Sequence, residues 1–215
     1  MMATEKELLD KAKLKIIVGD IEALKSLESV GLTYNSSDGT STEWLLFTAA
    51  TNANMSILLH LIGNGISVSG KAGKGALKRV CSHGYDEIAK TLLDAGVTLN
   101  LDDQYDCLNR AWEGAHYDLL ILLLNNFSNP GLNRSMIISG ISDGNWSALG
   151  LILKGVPMEI ITPSIVQDLV NNMDEIDVSF ECLSEAISPS SLMGSYLAGK
   201  SETTTSKKSN LKQSA

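Results

Sequence analysis

The chain of 215 residues predicts an all-α fold of short, paired, leucine-packed helices, and three observations support this. The apolar supply is aliphatic: hydrophobic residues make up 44% of the chain and aromatics only 5%, with 31 leucines. Proline, the strongest helix breaker, is absent from the first 129 residues, its four copies standing at 130, 157, 163 and 189. The third observation is a repeat. Segments beginning at Gly19, Ala53, Gly84, Ala115 and Gly144 line up with spacings of 34, 31, 31 and 29 residues. A period in that range marks stacked supersecondary units, each burying its apolar face on its neighbours.

Taken in order, residues 4–28 alternate charge (Glu5, Lys6, Glu7, Asp10, Lys11, Lys13, Lys15), as suits an N-terminal cap whose outer face meets water. Each aligned segment then reads as a helix by its apolar spacing. In the third, Ile88, Leu92 and Ala95 share one stripe with Ala89 and Leu93 beside it. Asp86 and Glu87 stand in its first turn, where the helix dipole favours acids. Gly31, Gly65 and Gly96 follow twelve residues after the first three starts, suited to the left-handed residue that closes a helix. Upstream of the segments lie shorter stretches: Leu46 with Ala49 and Ala50, Leu77 with Val80 and Cys81, Leu108 with Ala111. These predict a first helix packed antiparallel on the second, with small residues allowing close approach. One repeat is helix, tight turn, helix and a polar excursion, and the copies fall near 10–35, 43–69, 75–100, 105–129 and 133–156. After Pro157, Thr162-Pro163 is a helix start. Helices at 163–172 and 175–187 would form a degenerate cap within 157–198, completing an array over 1–198. Residues 199–215 read as a disordered Ser/Thr/Lys tail.

The unit resembles the ankyrin repeat. Its third copy keeps Leu77, Val80, Cys81, Gly84, Glu87, Ile88, Leu92, Leu93 and Gly96, followed by Val97 and Asn100. The fourth keeps Leu108, Ala111, His116, Asp118, Leu119, Leu122 and Leu123. The Thr-Pro pair of the family is missing, with Gly75-Ala76 and Asp106-Cys107 in its place, and the inter-repeat finger is about two residues short. The match covers residues 10–156 and is strongest in the third and fourth copies. Short-fingered, diverged repeats of this kind are similar to those of amoebal, giant-virus and intracellular-bacterial proteins. The resemblance implies an α-solenoid of about five repeats with atypical caps. It implies a protein that binds another protein stoichiometrically, as adaptor, inhibitor or effector directed at a host, through its concave face and fingers. It also implies that His116, at the family's Gly-His position, bonds the backbone of a neighbouring turn. An enzyme on a divergent helical scaffold and a structural homo-oligomer are the alternatives.

Seventeen basic against 25 acidic residues leave a net charge of −8, which argues against broad binding to nucleic acid phosphates. The longest apolar run, Leu119 to Leu124, is far too short for a bilayer span. The N-terminus lacks a secretory layout. Cys81, Cys107 and Cys182 are odd in number and carry no C-x-x-C pair; buried reduced thiols and a cytoplasmic location are the expectation.

Several motifs suggest chemistry and do not carry it. Gly65 to Ala72 meets G-x-x-x-x-G-K, but Ala72 stands where a phosphate loop needs Ser or Thr, and the preceding Ile57 to Ile62 is in helical phase. Cys81, His83, Cys107 and His116 lack the spacing of a zinc pair. Asp102, Asp103 and Asp106 form an acidic cluster, expected on a solvated finger where nothing would shift a carboxyl pKa. No metal, cofactor, small-molecule substrate or membrane is therefore expected, and no catalytic residue.

Charge is uneven. Lys71, Lys74, Lys78 and Arg79 cluster, whereas Tyr85 to Asp118 holds eight acids against two bases. Such a gradient would orient a charged protein partner. Carried from the ankyrin resemblance, the expected contacts on the first helices are Thr48, Thr51, Asn52, Arg79, Ser82, His83, Arg110 and Glu113. Those on the fingers are Lys71, Lys74, Asp102, Asp103, Gln104 and Tyr105, with Tyr105 and the arginines as energetic anchors. Trp112, where alanine is usual, is expected to wedge between repeats.

Overall fold

Side-chain caps open α1, α2, α7 and α9. The computed structural model describes residues 4–34 and 40–155, and every regular element among them is an α-helix. The elements are α1 (Glu5–Ile17), α2 (Ile21–Ser29), α3 (Thr40–Thr51), α4 (Met55–Gly63), α5 (Lys71–His83), α6 (Asp86–Asp94), α7 (Leu101–Glu113), α8 (Tyr117–Phe127), α9 (Pro130–Ser142) and α10 (Trp146–Gly155). Thr4 begins α1 with a reciprocal box: Glu7 donates its backbone N–H to Thr4 Oγ1 at 3.4 Å and accepts that of Thr4 at 2.9 Å. Asp20 caps α2 through Ala23, and Asn100 caps α7 through Asp103. Asn129 caps α9, with Pro130 at the first helical position.

The odd-numbered helices begin at 5, 40, 71, 101 and 130, three to five residues before the predicted repeat bounds. Apolar spacing marks a helix only from its first large buried apolar residue, whereas the first turns of α5 and α7 are built from lysine, small residues, acids and the exposed Leu101. Lys71, Lys74, Asp102, Asp103, Gln104 and Tyr105 are therefore helical, not finger residues as expected.

Gly31, Gly65 and Gly96 take the left-handed conformation expected of them, with φ of 113°, 83° and 96°. A second left-handed series marks the turn inside each pair. Gly19, Gly84 and Gly144 share it with two alanines, Ala53 and Ala115, at φ of 55° and 56°. A side chain there costs roughly 1–2 kcal/mol, so the turn is kept even where glycine is not.

Chain contacts divide the molecule into two units, one ending at Asn126 and one beginning at Phe127. In the first unit α1 packs on α3, α3 on α5 and α5 on α7, while α1, α3 and α5 also pack on their own partners α2, α4 and α6. Ala12 and Ile16, Leu45, Leu46, Ala49 and Ala50, Leu77, Val80 and Cys81, and Leu108 and Ala111 are buried along this succession. Each fully buried leucine contributes about 1.5–3 kcal/mol, and the small residues let successive helices approach. Backbone ties cross between pairs as well. Asn54 Nδ2 donates to the Ile16 carbonyl at the end of α1, and His116 Nε2 reaches the Ser82 carbonyl in α5 at 3.4 Å. In the second unit α9 packs on α10 over Leu132, Met136, Ile137, Leu149 and Ile152. Asn133 lies buried there with neither side-chain atom hydrogen-bonded.

The expected cap over 157–198, its helices at 163–172 and 175–187, the tail at 199–215 and Cys182 lie outside the described residues. No described helix is long and apolar enough to cross a membrane.

Candidate interaction surface

The expected contact residues lie on or directly after α3, α5 and α7, and half of them are exposed; an ionic network links α5 to α7. Lys74 Nζ bonds Asp103 Oδ2 at 3.1 Å, and Lys78 Nζ bridges Asp103 Oδ1 at 2.7 Å and Asp106 Oδ2 at 3.0 Å. Arg110 Nε completes the chain on Asp106 Oδ1 at 2.8 Å and reaches Ser82 Oγ at 3.3 Å. Helical spacing explains it: Lys74 and Lys78 are one turn apart on α5, as Asp106 and Arg110 are on α7. The acidic cluster is thus no solvated finger, and half of the expected basic patch is neutralised within the fold. Lys71 and Arg79 stay exposed with no carboxylate partner among the described residues.

Titration follows this geometry. Hydrogen bonds from Lys78 and then Lys74 hold the Asp103 carboxyl below its ordinary value of 3.8. Burial pushes Asp106 upward, but bonds from Lys78 and Arg110 outweigh it, and its carboxyl also ends below 3.8. The bonds to Asp103, then to Asp106, raise the Lys78 ammonium. Depressed carboxyl values mean the network stabilises fully above about pH 4 and loses its contribution as pH falls through them. Lys78, being raised, loses its share only as alkaline pH climbs through its own value. We expect Asp103→Asn to lower stability near neutral pH by about 1 kcal/mol, as partly exposed pairs allow. The deficit should shrink towards about pH 2, where the wild type has protonated the same group. Urea unfolding across that range measures it; a deficit constant with pH would refute the network's role.

Thr48 does not face outward as expected. It is 6% exposed, and its hydroxyl donates to the Trp44 carbonyl at 2.7 Å, which satisfies it inside the stacked helices. Thr51 is half-buried and donates to Phe47 O at 2.9 Å, while exposed Asn52 donates to Thr48 O at 2.8 Å. Ser82 is half-buried beneath Arg110, and Arg110 is too firmly tied to act as a free anchor. His83 is exposed, its Nδ1 on the Arg79 carbonyl at 2.9 Å; Asp102 and Glu113 are exposed, and Gln104 is half-buried on Leu99 O. Tyr105 is 41% exposed, and two residues not singled out from sequence join it, Trp44 at 53% and Leu101 at 57%. Trp112 is half-buried, edge-on to Tyr117 with centroids 6.0 Å apart.

A second polar cluster has no sequence signal, because His60 stands 26 and 32 residues from its partners Tyr34 and Glu28. Tyr34 donates its hydroxyl to Glu28 Oε1, and His60 Nε2 meets the same oxygen at 2.7 Å. Burial, then the bond to Glu28, pushes the Tyr34 phenol far up. A phenol so held stays protonated and is no nucleophile, and the trio clamps α2 to α4.

Cys81 and Cys107 are free and fully buried, on α5 and α7. The hydrogen bond between them, reinforced by burial, raises the Cys81 thiol far above its ordinary range, which disfavours the reactive thiolate. Among the described residues no group of three or more His, Cys, Asp and Glu is placed to hold a metal ion. Gly70 caps α5 from a loop that follows helix α4, so the Gly65–Ala72 string lacks the strand that a phosphate loop requires.

Neither a family model nor a curated protein sequence matches this chain.

Proposed function

We propose that the chain is a diverged ankyrin-type repeat protein of the cytoplasm that works by stoichiometric recognition of another protein, as adaptor, inhibitor or effector. Support for the repeat assignment comes from the succession of α1, α3, α5 and α7, the left-handed turn recurring within the pairs, and the His116 tie to Ser82. Two free, buried thiols suit a reducing compartment.

One observation carries the functional reading. Trp44, Lys71, Arg79, Leu101 and Tyr105 stand exposed on successive helices: α3 packs on α5, and α5 is tied to α7 by the Lys74–Asp103–Lys78–Asp106–Arg110 network. Aromatic and arginine side chains are the residues that dominate binding energy. A preformed rigid surface adds little ordering cost on association. The test is capture of partners from native lysate by the full chain and by an Arg79→Glu/Tyr105→Ala variant of unchanged circular dichroism. The variant should retain about a tenth or less of the captured partner. Equal capture, or no saturable capture by the wild type, would overturn the reading.

A further inference from the structure

We infer that the exposed stripe of α5 is a docking seat for an extended acidic peptide segment with one apolar anchor. This rests on the protein-binding reading above and narrows it to one ligand chemistry. Lys71, Gly75 and Arg79 are spaced by four residues and so lie on one line along the helix. Both cations are exposed without a carboxylate partner among the described residues, unlike Lys74 and Lys78 on the neighbouring line.

Gly75 sits between them, and packing does not explain it. Two residues earlier, Gly73 is obligatory, because any side chain would enter the Val68 backbone. A Cβ added at Gly75 would meet only the Phe47 ring, at 3.5 Å and 3.6 Å, an ordinary contact. A glycine in mid-helix weakens the helix relative to alanine, and this one puts no side chain against the edge of Phe47, which is half-buried like Gly75 itself. Trp44 lies edge-on to Phe47, at 5.1 Å and 76°. The seat is therefore an apolar notch floored by Phe47 and bracketed along the helix by two free cations.

Charge complementarity then selects the occupant. On a chain of net charge −8, two cations left without a carboxylate partner along one line of α5 favour an anionic segment there. Eight helical residues separate the cations by about 12 Å, the length of about four residues of extended chain. Alternate residues of an extended peptide face the same way. A segment of the form acid, any residue, apolar, any residue, acid thus presents both carboxylates and the anchor to α5 together.

The experiment uses the full chain and a fluorescein-labelled peptide centred on glutamate, serine, phenylalanine, serine, glutamate, followed by fluorescence anisotropy at low salt. Two control peptides replace the phenylalanine by alanine or both glutamates by lysine. We expect saturable binding, about tenfold weaker for the alanine peptide and about tenfold weaker for a Gly75→Leu variant. Loss is expected for the lysine peptide and for Lys71→Glu/Arg79→Glu. Gly75→Ala guards against misfolding: it should melt at a higher temperature than the wild type yet bind the peptide more weakly. The seat is overturned if the wild type shows no saturable binding, or if Gly75→Leu or Gly75→Ala binds the peptide as well as wild type. A lysate partner whose capture survives Gly75→Leu would also overturn it while leaving the protein-binding reading intact.

Discussion

Replacing Gly73 by alanine is expected to destabilise the fold by about 3 kcal/mol, among the largest effects of any single methyl group added to this chain. An alanine Cβ would collide with the Val68 carbonyl oxygen and lie 2.8 Å from its carbonyl carbon. Both atoms are backbone, so no side-chain rotation relieves the clash; the loop over residues 64–70 must lift off α5. Gly73 is itself buried, as are its neighbours Ala72 and Ala76 on the same helix. Thermal unfolding followed by circular dichroism should show a midpoint lower by on the order of 10 °C. Gly75→Ala serves as the control in the same helix, because its nearest neighbour is an ordinary contact. An unchanged midpoint for Gly73→Ala would mean that the loop is not seated on α5.

Gly84→Ala is expected to cost about 3 kcal/mol as well, for two separable reasons. The residue closes α5 in the left-handed conformation at φ 68°, where a side chain costs roughly 1–2 kcal/mol. Its Cβ would also drive into the His116 ring, 2.7 Å from Cε1 and Cγ. That ring is closely placed, since a side chain at Gly114 would also meet it and its Nε2 is held on Ser82 O. His116→Ala alone should cost about 1 kcal/mol, the worth of the lost hydrogen bond. If the ring is the obstacle, the double variant will be less destabilised than the sum of the singles by about 1 kcal/mol or more. Strict additivity would leave only the backbone strain as the cause of the Gly84 effect.

Much of the architecture was legible from local chemistry. The five second helices follow from apolar spacing, and Gly31, Gly65 and Gly96 do take the closing conformation expected of them. His116 does bond backbone of the preceding helix pair, as the ankyrin resemblance implied, although the acceptor, the Ser82 carbonyl within α5, is set by the packing. Helix starts were not, because α5 opens on Lys71 with the small residues Ala72 and Gly73, and α7 has Asp102-Asp103 in its first turn, none of which registers in apolar spacing. Outward orientation was also overread at Thr48, a polar residue that buries its hydroxyl on its own helix.

The basic patch shows where the reading of charge failed. Sequence places Lys74 and Lys78 beside Lys71 and Arg79, and the acids Asp103 and Asp106 some 25 to 32 residues away. Nothing local says that the first two lysines face those acids while the other two cations face water. The same holds for Glu28, Tyr34 and His60, whose meeting depends on how α2, the chain after it and α4 come together.

The sequence by itself determined the class of fold, the period and the turn chemistry, since these depend on neighbours within one helical turn or one tight bend. Tertiary structure alone decided which charges remain available, which glycine is obligatory and which leaves a notch. The reason is physical: charge pairing and steric clearance are properties of atoms within about 4 Å in space, and the atoms that settle them here belong to different helices.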